Sequence, residues 1–79
     1  MIYIQYLTQD ELLDLYKETV NEVVNELRNN KKATNNDRLA TYHQIGGIIK
    51  FAIKDRRFEI ENYTKFLEFA MDMQDTVWL

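Results

Sequence analysis

The sequence predicts an all-α fold, a three-helix bundle in one domain spanning residues 1–79. Three observations predict it. Apolar residues recur at steps of three and four in three successive stretches, which is helical rather than strand spacing. Proline is absent. Short polar segments separate the stretches, too short and weakly biased to be domain linkers. The predicted helices run over about 9–30, 36–57 and 62–76, preceded by an extended or short-strand N-terminal arm.

Residues 2–7 (IYIQYL) alternate weakly. A strand there would need a partner, and Phe58-Glu59-Ile60 is the one candidate. Otherwise the segment is an arm lying across the helices or a neighbouring subunit. Thr8-Gln9-Asp10-Glu11 forms a capping box, with Thr8 accepting from the amide of Glu11 and the Glu11 carboxylate reaching back. Two acids in the first turn also suit the positive end of the helix dipole. Leu12, Leu13, Tyr16, Val20, Val23, Val24 and Leu27 make the inner face of this helix, which stops near Asn29–Asn30.

The central stretch, NDRLATYHQIGGIIKFAIKDRR, is the longest periodic segment. Asn35 or Asn36 is its expected cap. Leu39, Tyr42, Ile45, Gly46, Ile49, Ala52 and Ile53 share one face. Beside it runs a second stripe, His43, Gly47, Lys50, Lys54 and Arg57. Each glycine costs a helix about 1 kcal/mol relative to alanine. The apolar phase nevertheless continues across Gly46–Gly47, which predicts an unbroken helix with a close crossing at Gly46. A ligand or a nucleic-acid phosphate over Gly47 is the sharper alternative. Phe58 to Glu61 is expected to turn, and Asn62 to cap a third helix. Its apolar set, Tyr63, Phe66, Leu67, Phe69, Ala70, Met71, Met73 and Val77, is wider than one contact face requires.

Composition bounds the function. A chain of 79 residues buries only about 60–65% of its unfolded surface, so its core is marginal; dimerisation is one way to add buried area. There is no cysteine and one histidine, so neither a thiolate nor a His-rich metal site is expected, and no cofactor. No run approaches the roughly eighteen apolar residues of a membrane span. The apolar N-terminus is too short for a signal peptide, and a cytoplasmic location is expected. The Asn, Lys, Ile and Tyr usage suits an AT-rich coding genome, such as that of a low-GC bacterium or its phage.

Charge is segregated. Residues 9–27 hold six acids and one base, residues 28–57 eight bases and two acids, and residues 58–79 five acids and one base. The plain reading is complementarity within the bundle, where exposed pairs contribute about 0–1 kcal/mol each. No serine or cysteine is present to act as a nucleophile. His43 between Tyr42 and Gln44 reads as an ordinary helix residue, so no enzyme activity is expected. Glu59 with Glu61, and Asp72 with Asp75, read as solvated acids.

What remains is surplus apolar surface: Phe51 and Ile48 off the central stripe, Leu15 off the first, Phe69 and Trp78 beyond. This points to a small non-enzymatic protein–protein interaction module. It would bind a larger protein, or itself as a homodimer, through Ile48, Phe51, Phe69, Met73 and Trp78. Size and composition suit a phage or mobile-element accessory protein that inhibits or modulates a host protein. The alternative is a small DNA-binding transcriptional regulator using His43, Lys50, Lys54 and Arg57. Against that stands a pI near 5.0, where nucleic-acid domains usually exceed about 9.

Overall fold

The computed structural model describes residues 7–79. It contains three helices, α1 (Gln9–Asn29), α2 (Asn35–Lys54) and α3 (Ile60–Thr76), each packed against both others. The strand or arm expected at residues 2–6 lies outside the described residues. Among those described there is no strand, and Ile60, its supposed partner, already begins α3.

The capping box of α1 forms as its residues dictate. The Glu11 amide donates to Thr8 Oγ1 at 3.1 Å and the Thr8 amide to Glu11 Oε1 at 3.1 Å. At α2 the cap is Thr34, not Asn35 or Asn36. The Asp37 amide donates to Thr34 Oγ1 at 3.2 Å and the Thr34 amide to Asp37 Oδ2 at 2.8 Å. A hydroxyl with an acid three residues on satisfies two orphan donors together, which one Asn does not. Thr34→Ala is expected to lower stability by about 1 kcal/mol, read as a shift in the urea midpoint.

The α2–α3 connection also departs from expectation. Helix α2 ends at Lys54 rather than Arg57, because Asp55 turns out of the helix with φ −78° and ψ 107°. Its carboxylate then accepts from the Arg57 amide at 3.0 Å. Helix α3 begins before Asn62, with Glu59 as a cap that makes no side-chain hydrogen bond of its own. Gln9 of α1 satisfies the amide of the cap residue itself, its Oε1 accepting from the Glu59 amide at 3.0 Å.

Phe66, Leu12, Ile45, Val20, Val24 and Val77 are the largest fully buried side chains. Helix α2 runs unbroken through Gly46–Gly47, and a Cβ built at Gly46 would stand 3.5 Å from Nε2 of Gln74 on α3. That amide donates to the Tyr42 carbonyl at 3.1 Å, so the small residue gives α3 access to the α2 backbone. The inner face of α2 is rotated from the sequence reading. Thr41, Ile45 and Ala52 are buried, whereas Leu39 and Ile53 are 44% and 64% exposed. Thr41 tolerates burial because its hydroxyl donates to the Asp37 carbonyl at 3.0 Å.

Candidate functional site

The outer side of α2 carries a small, well-defined ridge. Gly47, Lys50, Phe51 and Lys54 follow at steps of three, one and three, which gathers them on one side of the helix. Phe51 is 75% exposed, and both lysines are exposed. A Cβ at Gly47 would meet nothing within 4 Å. The missing side chain opens a hollow of about 240 Å³ between the phenyl ring and the two ammonium-bearing chains.

The other residues singled out from sequence lie elsewhere. Ile48, Phe69 and Met73 are partly buried and pack against the core. The ammonium of Lys17 on α1 lies 5.3 Å from the Phe69 ring centroid. Trp78 is 50% exposed, its ring 6.3 Å from that of Tyr42. Tyr42 and Phe51 are nine residues apart, which places them about 180° from each other around α2. Phe51 and Trp78 therefore sit on opposite flanks and form no common patch. Sequence reasoning also missed Leu39 and Ile53 as surface residues, having counted both toward the core.

Of the basic residues, His43 is exposed and edge-on to its neighbour Tyr42, with ring centroids 6.0 Å apart. Lys50 and Lys54 flank Phe51. Arg57 is drawn away into a polar clasp. Its Nε donates to Asp55 Oδ1 at 2.9 Å and its Nη2 to Asp55 Oδ2 at 2.6 Å. Tyr16 of α1 donates its hydroxyl to the same Oδ2 at 2.8 Å, and Gln9 Nε2 donates to the Arg57 carbonyl at 2.6 Å. Behind the clasp the Tyr16 ring packs on Phe58 and Phe66, with centroids 5.0 and 5.5 Å away.

This clasp fixes the C-terminal end of α2, and with it the position of Lys54. The Arg57 guanidinium holds the Asp55 carboxyl well below the usual carboxylate range, with the Tyr16 hydroxyl adding to the effect. Burial pushes the Tyr16 phenol up from 10.0 to about 12, helped by its bond to Asp55. A phenol whose folded pKa is raised contributes stability that is complete below pH 10 and lost as pH rises toward 12. Tyr16→Phe is expected to lose less stability than wild type between those pH values, measured by urea titration at each.

A second hollow, about 320 Å³, opens where the end of α1 meets the start of α2. Two of its three lining cations are engaged with the C-terminal residues: Arg38 Nη1 donates to the Val77 and Leu79 carbonyls at 2.8 and 3.3 Å, and Arg28 Nη2 to Thr76 Oγ1 at 3.5 Å, while Lys31 lines the rim. Among the described residues no three His, Cys, Asp or Glu side chains are grouped to hold a metal ion, and no helix is long and apolar enough to cross a membrane. Comparison of the chain with protein-family models, with curated proteins and with solved structures finds no match.

Proposed function

We propose that this chain is a non-enzymatic protein-interaction module that grips its partner through the Phe51 ridge of α2. The observation that carries this reading is the exposure of Phe51, at 75% in a chain that buries Phe66 completely. An isolated exposed apolar residue needs no explanation. Here the ring stands beside an open hollow and between two lysines, an anchor-and-rim arrangement of the kind interface hot spots use. Lys50 and Lys54 favour a partner whose apolar contact is bordered by acids. The narrower reading is a cytoplasmic accessory protein, of phage or mobile-element type, whose binding inhibits or modulates the protein it captures.

A nucleic-acid partner has one observation behind it, the two exposed lysines side by side. Against it, Arg57 is bonded to Asp55, and the ridge centres on an apolar ring. The two readings separate in one experiment. The immobilised chain is used to retain protein partners and, in parallel, is tested for DNA mobility shift at low and high salt. Phe51→Ser is expected to abolish retention of the protein partner while leaving the unfolding free energy, read by urea titration, within about 0.5 kcal/mol of wild type. A salt-steep DNA shift, lost in Lys50→Glu or Lys54→Glu and kept in Phe51→Ser, would instead establish the regulator.

A further inference from the structure

Helix α1 carries a hollow of about 270 Å³ lined by Leu7, Glu11, Asp14, Leu15 and Glu18, with Leu15 44% exposed. It is the chemical complement of the Phe51 ridge: an aliphatic residue bordered by acids against an aromatic one bordered by bases. Both lie on the same side of the bundle. Lys17 reaches over Phe69 of α3, and Leu15, about 200° around α1 from Lys17, turns away from α3 onto the flank beside α2. On α2, Gly46 faces Gln74 of α3 and Tyr42 faces Trp78. Phe51, about 180° from Tyr42, is on the flank beside α1.

The Tyr16–Asp55 bond of 2.8 Å sets the levels of the two antiparallel helices. Glu18 and Glu22 stand near the height of the α2 turns that bear Lys54, Phe51 and Lys50. Among the described residues these four charged side chains form no ion pairs, the ion pair being Arg57–Asp55. The α1–α2 face thus presents an acidic helix and a basic helix side by side, each with one exposed apolar residue.

Building on the protein-binding reading above, we infer that the α1–α2 face docks onto the same face of a second copy of this chain, about a two-fold axis parallel to the helices. Such an axis lays α1 of each copy on α2 of the other. It sets Glu18 and Glu22 of one copy against Lys54 and Lys50 of the other, twice over, as an isologous contact requires. A two-fold axis across the helices would lay α1 on α1 and acid on acid, which like-charge repulsion opposes.

Sedimentation equilibrium of the full chain tests this. Wild type is expected to approach twice the 9.5 kDa mass of one chain as concentration rises. Lys54→Glu alone and Glu18→Lys alone are each expected to weaken self-association by about tenfold or more, and an equimolar mixture of the two variants to restore it. Both substitutions are on exposed positions, and unchanged urea midpoints would show that folding is intact. A wild-type chain that stays at one-chain mass at every concentration overturns the inference. So does a mixture that fails to recover association, or mass that grows past the dimer. A monomer that still retains another protein through Phe51 leaves the protein-binding reading standing, whereas a monomer that retains none removes both.

Discussion

Phe66→Ala is expected to lower the stability of this domain by about 3–5 kcal/mol. Phe66 is fully buried and sits behind the clasp, its ring 5.5 Å from that of Tyr16 and 6.2 Å from that of Phe58. Truncation removes the contact shared by α1, α3 and the α2–α3 connection, and leaves a void that so small a domain has few side chains to fill. A chain of this length has a total stability of about 4–12 kcal/mol, so the variant should be partly unfolded at room temperature at the lower end of that range. Phe66→Leu keeps most of the volume and should cost about 1–2 kcal/mol. Urea titration followed by far-UV circular dichroism reads both. A loss below about 1 kcal/mol for the alanine variant would contradict the packing described here.

Asp55→Ala is expected to cost about 2–3 kcal/mol, because it leaves the Tyr16 hydroxyl and the Arg57 guanidinium without their shared acceptor. The effect carries a pH signature. A carboxyl whose folded pKa lies below its unfolded value of 3.8 contributes stability that is complete above that value and lost as pH falls through the folded one. Wild type should therefore weaken as pH drops below about 4, and Asp55→Asn should remove that part of the acid dependence while lowering stability at neutral pH. Equal acid slopes in the two proteins would mean that the clasp contributes nothing.

The helices themselves were legible because their signals are local. Thr8 and Glu11 spell a capping box in four residues, and the apolar phase carried α2 through Gly46–Gly47. Thr34 and Asp37 spell the same signal in a shorter acid, and the neighbouring asparagines obscured it. The rotation of α2 was less legible. Leu39 and Ile53 are more apolar than Thr41, yet Thr41 is buried because a local bond to the Asp37 carbonyl satisfies its hydroxyl. Phe51 and Leu15 could be seen to lie off their helices' inner faces from angular position alone. That Trp78 falls on the opposite flank of α2 from Phe51 could not, since it depends on where α3 delivers the end of the chain. Nor could the fate of Arg57, which depends on Asp55 leaving the helix.

The surface of α2 connects these points. The clasp fixes its C-terminal end, the core takes Ile45 and Ala52, and Gly47, Lys50, Phe51 and Lys54 are left facing outward. The most direct test is an amide chemical-shift footprint on the labelled chain, recorded with the protein it retains, or against its own concentration if it pairs with itself. The prediction is that perturbations centre on Gly47, Lys50, Phe51 and Lys54, joined on self-association by Glu18 and Glu22 of α1, and vanish in Phe51→Ser. A footprint centred instead on Arg28, Lys31 and Arg38 at the other end of the bundle, undisturbed by that substitution, would contradict it.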